Sequence, residues 1–152
     1  MVNPNDVFAN LKLNLAPQYM NNDNKLLFVY GTLLQAGNEF ADYLSKNSKI
    51  ISQGKFSGKL YDLGQYPGAV YLPDSKSFVH GTVVSINNIP EVLERLDYYE
   101  GIGSTNCEYK RETIEIETNQ GKLRCWVYLY ILKEDGLALI PEGDYLKYKG
   151  LK

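Results

Sequence analysis

Glu100 is the residue whose type and place in the chain offer the clearest chemistry. It stands seven residues after Leu93 and four after Leu96, a spacing that returns a helix to one face, so a carboxylate joins an apolar stripe. Gly101 follows at once, where a helix commonly ends on a left-handed cap. Burial and the negative end of the helix dipole both disfavour a charged carboxylate there. Both raise its proton affinity towards the range useful for general acid–base work. The same position also suits a side chain that frays into solvent or pairs with Arg111.

Tyr30-Gly31-Thr32-Leu33 closes an apolar run and opens into a glycine turn. Successive backbone N–H groups in such a turn can hold a carboxylate or an oxyanion, and glycine allows a ligand close to the main chain. The same four residues also suit a plain turn. Tyr66-Pro67-Gly68 marks a rigid turn. Tyr109 and Arg111 share one side of an extended segment, where either can bind a carboxylate or, more commonly, join a nearby acid. Cys125 falls on an aliphatic strand face and reads as a core filler. His80, the single histidine, has no acid or nucleophile beside it and reads as structural. Cys107 and Cys125 lack metal-ligand spacing, so no His/Cys cluster suggests zinc, and no metal or cofactor is expected.

The elements that must position these groups follow from periodicity. Leu26 to Tyr30 is a short continuous apolar run, as in a buried central strand. Asn38 reads as the cap of a helix carrying Phe40, Tyr43 and Leu44 on one side. Strands are predicted around Ile50-Ile51, Lys55 to Leu60, Ala69 to Leu72 and Phe78 to Ile86, with Gly81 as a bulge or close approach. Asn87-Asn88-Ile89-Pro90 predicts a helix start with an asparagine cap, and Val92, Leu93, Leu96 and Tyr99 continue that helix to Gly101. Ile114 to Glu117 and Leu123 to Leu132 predict a hairpin about Asn119-Gln120-Gly121. Six or seven strands and two helices that do not alternate favour an α+β fold, a strongly bent mixed sheet closing towards a small barrel.

At 152 residues with 44% apolar and 22% charged residues, the chain suits one globular domain. A net charge of −2 without long runs of one sign gives no footprint for nucleic acid or anionic membrane. No apolar run spans a bilayer and no signal peptide is expected, so a cytoplasmic location is the default. Residues 1–24 are polar and Asn-rich and read as an appendage to a domain over 25–152. In that appendage Phe8, Leu11, Leu13 and Leu15 could form one short helix or edge segment. Thirteen tyrosines against five phenylalanines and one tryptophan suggest a half-wet pocket or interface, or alternatively codon bias with strand propensity.

Taken together, these segments resemble the gamma-glutamylcyclotransferase-like family, which includes the AIG2-like and gamma-glutamylamine cyclotransferase proteins. The resemblance runs from about Leu26 to Tyr148. Phe28-Val29-Tyr30-Gly31-Thr32-Leu33, Leu96-Asp97-Tyr98-Tyr99-Glu100-Gly101, Tyr109-Lys110-Arg111, Cys125-Trp126-Val127-Tyr128 and Ile140-Pro141-Glu142-Gly143-Asp144-Tyr145 carry it. The resemblance implies a small bent β-barrel with flanking helices and an enzyme that forms 5-oxoproline from a gamma-glutamyl amine or peptide. It implies that Glu100 is catalytic and that Tyr30, Gly31, Thr32 and Leu33 cradle the substrate, with Tyr109 lining the pocket. The connection from Gly101 to Glu108 is long compared with some members, which bears on the shape of one pocket wall. An amidohydrolase or acyl transferase on the same pocket, and a binding module without turnover, are the rival readings. A monomer or homodimer acting on a small molecule is expected.

Overall fold

The run after Lys25 is apolar at every position because both of its faces are covered. In the computed structural model, which describes residues 24–152, it forms β1, Leu26–Val29. Phe28 points into one core with Phe56, Val79, Val83, Ile116 and Val127. Leu27 and Val29 point the other way, into a second core with Leu44, Val84, Val92 and Leu96. A strand buried on both sides has no reason to alternate apolar with polar residues.

The first core is the interior of a closed barrel. β1 pairs antiparallel with β4, Phe78–Ile86, from Leu26↔Ser85 to Val29↔Thr82. It pairs parallel with β6, Gly121–Tyr130, at Leu27↔Trp126. β6 forms the expected hairpin with β5, Tyr109–Thr118, from Tyr109↔Tyr130 to Thr118↔Gly121. β2, Ser48–Asp62, pairs with β4 along most of its length and closes the ring on β5 at Gly54↔Thr118 and Lys55↔Glu117. The five barrel strands therefore run β2-β4-β1-β6-β5 and back to β2. β3, Pro67–Tyr71, and β7, Ala138–Leu139, extend the far end of β2. This is the α+β barrel that the residue pattern and the resemblance predict.

Helices cover the second core. α1, Glu39–Lys46, starts at Asn38, whose Oδ1 accepts from the N–H groups of Phe40 and Ala41. α2, Ile89–Tyr99, buries Val92, Leu93 and Leu96 against the barrel. A short α3, Tyr145–Tyr148, is capped by Asp144 and adds to the two predicted helices.

Three local expectations are corrected. The segments around Ile50 and Lys55 to Leu60 are one strand, because Gly54 continues the ladder rather than ending it. A Cβ at Gly54 would lie 2.6 Å from Ile116 Cγ2, so glycine makes room for the facing strand there. Gly81 is not a bulge: it pairs in register with Gly54, and the irregularity falls between Ile50 and Ser52. Its close approach is real, since a Cβ would collide with the Val29 carbonyl and the Phe28 ring. Asn88 makes no side-chain cap; it takes the left-handed conformation, φ 46°, that asparagine tolerates, and its carbonyl accepts from Val92 N–H at 3.0 Å.

The assignment of residues 1–24 as an appendage lies outside the described residues except for Asn24. That residue is tied to β6, its Nδ2 donating to the Arg124 carbonyl and its own carbonyl accepting from Trp126 Nε1. No helix of the described residues is long and apolar enough to cross a membrane.

Candidate active site

Glu100 is the last residue of α2's stripe and its C-cap. Gly101 N–H donates to the Tyr98 carbonyl at 3.1 Å and Ile102 N–H to the Asp97 carbonyl at 2.9 Å, with Gly101 at φ 74°. These paired bonds and the left-handed glycine form a Schellman motif. The chain is thereby turned away while the Glu100 side chain continues the line of Leu93 and Leu96 inward. There it meets a cavity of about 360 Å³.

Every part of the cavity wall comes from an element already placed. β1 and the turn after it supply Tyr30 to Leu33, and the entry to β3 supplies Tyr66 and Pro67. The end of α2 gives Tyr99 and Glu100, and the connection to β5 gives Asn106, Cys107 and Glu108. Tyr109 and Tyr128 close the barrel side. The sequence-predicted residues Glu100, Tyr30, Gly31, Thr32, Leu33 and Tyr109 therefore meet at one cavity.

Glu100 has no hydrogen-bond or ion-pair partner among the described residues. Part of its surface is open to the cavity, but the protein around it is dense. Burial, followed by the negative charge of Asp97, pushes its pKa from 4.5 to about 8. Arg111 does not reach it. Its guanidinium grips Asp97 through two bonds, Nε to Oδ1 at 2.8 Å and Nη2 to Oδ2 at 3.0 Å, and lies 4.4 Å over the Trp126 ring. Tyr128 adds a hydroxyl bond to Asp97 Oδ1 at 2.7 Å. The cation that sequence reading offers to Glu100 is thus committed one helical turn away.

Facing Glu100 is the turn after β1. Thr32–Leu34 is a single 3₁₀ turn whose internal bonds run from Leu34 N–H to the Gly31 carbonyl and from Gln35 N–H to the Thr32 carbonyl. The N–H groups of Gly31, Thr32 and Leu33 donate to no acceptor among the described residues, and an anion can take them. Gly31 has an ordinary negative φ of −138°. Space is what demands glycine, because a Cβ would lie 2.7 Å from Pro67 Cγ.

A hydroxyl network fixes that turn. Asn38 uses its Oδ1 as the α1 cap, which leaves Nδ2 to donate to the Tyr99 hydroxyl at 2.9 Å. Tyr99 in turn lies 2.7 Å from Thr32 Oγ1. The predicted tyrosines have structural hydroxyls. Tyr30 donates to the Tyr128 carbonyl, and Tyr109 donates to the Pro67 carbonyl at 2.6 Å. Neither hydroxyl is free for a ligand. Tyr30 offers main chain and Tyr109 a ring face, 6.3 Å from the Tyr66 ring.

Sequence reading missed Tyr66 as a lining residue and, while it set the Gly101–Glu108 connection at one pocket wall, singled out none of Asn106, Cys107 and Glu108. Tyr66 donates to Glu108 Oε1, and this bond is the main reason its hydroxyl pKa is pushed up to about 12. The excess of tyrosine was the available signal, since five of them line the cavity: Tyr30, Tyr66, Tyr99, Tyr109 and Tyr128. Cys125 is fully buried in the barrel core and His80 lies on β4 outside the lining, both consistent with structural roles.

The family model for "Gamma-glutamyl cyclotransferase, AIG2-like" matches residues 27–147. The gamma-glutamylcyclotransferase family protein YtfP of Escherichia coli strain K12 is 36% identical over 122 residues, covering 79% of this chain and 95% of that one. The solution structure of ytfP from Escherichia coli superposes with a TM-score of 0.59 at 35% identity, covering 82% of this chain and 98% of that one. An AIG2-like protein from mouse shares the fold, with a TM-score of 0.63 at 22% identity over 80% of this chain and 87% of its own. A match that spans the barrel, the turn after β1 and the end of α2 leaves one conclusion: the chain belongs to the AIG2-like gamma-glutamyl cyclotransferase family.

Proposed function

We propose that the chain cyclises a gamma-glutamyl amide to 5-oxoproline and releases the amine. The observation that carries this reading is an unpartnered Glu100 carboxyl, pKa about 8, in the same cavity as the unused N–H groups of Gly31, Thr32 and Leu33. A gamma-glutamyl compound brings its own nucleophile, the alpha-amino group, within five-membered-ring reach of the gamma-carbonyl. The protein then has to position the chain and move protons.

The alpha-amino group, beside a free carboxylate, holds its proton at or somewhat above the peptide-terminal value of about 8, close enough to Glu100 for a proton to pass between them. As the amine attacks the carbonyl carbon, Glu100 holds that proton. As the tetrahedral intermediate collapses, the carbon–nitrogen bond to the departing amine breaks and Glu100 delivers its proton to that nitrogen. The carboxylate so formed takes the remaining extra proton from the ring nitrogen to leave a neutral lactam N–H. The free N–H groups of the turn hold the alpha-carboxylate or the tetrahedral oxyanion, a contribution typically of a few kcal/mol. The ring of Tyr109 shapes the hollow, and Thr32, steadied by Tyr99, keeps the turn in place. Two free thiols suit a reducing compartment, and we assign the reaction to the cytoplasm.

Glu100→Gln keeps the shape and removes the transferable proton. It should abolish 5-oxoproline release from a gamma-glutamyl amide that the wild type turns over, while the circular dichroism spectrum stays native. Wild-type turnover by that variant would remove the mechanism. Free glutamate in place of 5-oxoproline would identify hydrolysis instead.

A further inference from the structure

The cavity holds a second carboxylate, and the chemistry above does not use it. Glu108 ends the connection from α2 and enters β5, where its carbonyl accepts from Ile131 N–H at 2.8 Å, so its main chain is fixed to the end of β6. Tyr66 takes Oε1. Oε2 has no partner among the described residues, and Glu108 has no ion-pair partner there. The lining contains no lysine, arginine or histidine. With the alpha-carboxylate on the turn and the alpha-amine on Glu100, as the proposed reaction allows, Glu108 is the lining carboxylate left to face the departing amine.

We propose that Glu108 determines specificity, selecting gamma-glutamyl amides whose departing amine carries a second, distal ammonium group, as in the mono-amide of a diamine. This rests on the cyclotransferase reading and goes further by naming the leaving group's charge. A distal ammonium gives Glu108 Oε2 its missing partner through a charge-assisted hydrogen bond, the stronger kind. A departing amino acid would bring a carboxylate into a wall with two acids and no cation. The small volume, about 360 Å³, also favours a short amine over a long peptide.

The test compares three gamma-glutamyl amides of similar length, made from butane-1,4-diamine, butylamine and 4-aminobutyrate, with 5-oxoproline release as the readout. Wild-type kcat/KM should fall in that order, with the diamine amide about tenfold above the butyl amide. Glu108→Gln should reduce the diamine-to-butyl ratio about tenfold. Glu108→Lys should reverse the order and favour the 4-aminobutyrate amide. Equal wild-type rates, or a ratio that Glu108→Gln does not move, overturn the assignment while leaving the cyclotransferase reading intact. Should none of the three yield 5-oxoproline, that reading falls, and calorimetric binding decides Glu108 alone. Preferential binding of the diamine amide to Glu100→Gln, lost in Glu100→Gln/Glu108→Gln, upholds it. Indifferent binding overturns it.

Discussion

Replacing Glu100 by glutamine should stabilise the protein, and more so at alkaline pH. In the unfolded chain this carboxyl ionises near 4.5, whereas in the fold it holds its proton up to about 8 because burial disfavours the charge. A raised carboxyl pKa means that the unfolded chain releases a proton which the folded chain keeps. Stability from this group is therefore full below 4.5 and is lost as pH rises through 8. At about 1.36 kcal/mol for each tenfold change in proton affinity, the loss between about pH 5 and about pH 8.5 reaches about 4 kcal/mol. The carboxyl is open to cavity water, which screens the charge and brings the expected figure to about 2 kcal/mol. Glutamine mimics the protonated acid at every pH and escapes the loss. Urea titrations of both proteins at the two pH values measure this directly, and subtracting variant from wild type cancels the other titrating groups. A variant no more stable than wild type at about pH 8.5, or equally shifted at both pH values, would refute the buried-acid argument.

Further outcomes follow from neighbouring contacts. The productive complex carries one proton on the amine–Glu100 pair, so kcat/KM should be bell-shaped with its maximum at or a little above about pH 8, between the Glu100 and amine values, falling as a second proton is added or the shared one is lost. Asp97→Asn removes the negative charge that adds to burial, and the bell should move to lower pH. An unmoved maximum would leave Asp97 no such influence. Gly31→Ala drives a methyl against the rigid Pro67 ring at 2.7 Å and should raise KM about tenfold, with about 1–3 kcal/mol lost in urea unfolding. Gly81→Ala collides with the Val29 carbonyl and should lower the urea midpoint through a similar loss, with KM little changed in the fraction that remains folded.

What was legible in the sequence was local. The doubly buried β1, the Asn38 cap and the α2 stripe ending at Glu100-Gly101 each repeat within a few residues, and the structure keeps all three. What was hidden depends on partners far along the chain. Gly54 looks like a break until Ile116, over sixty residues later, is seen to need its space. Arg111 looks free to pair with Glu100 until β5 is docked beside α2 and Asp97 takes it. Tyr66 and Glu108 lie forty-two positions apart and read as a turn and a loop residue, because only the folded barrel brings them together. The partners of the Tyr30 and Tyr109 hydroxyls were hidden for the same reason, since the carbonyls of Tyr128 and Pro67 that claim them lie far along the chain.

The barrel's closure between β2 and β5 rests on two residue pairs, Gly54↔Thr118 and Lys55↔Glu117, whereas β5 and β6 pair along their whole length. The β1–β6 ladder is narrower still, at Leu27↔Trp126, but β1 is buried on both faces. The more exposed β2–β5 join is therefore where the ring should breathe first, and amide exchange should be fastest there among the barrel ladders. It sits at the Thr118 end of β5, roughly 30 Å along a ten-residue strand from Tyr109 and the cavity. Loosening at the join can therefore proceed while the cavity end keeps its shape.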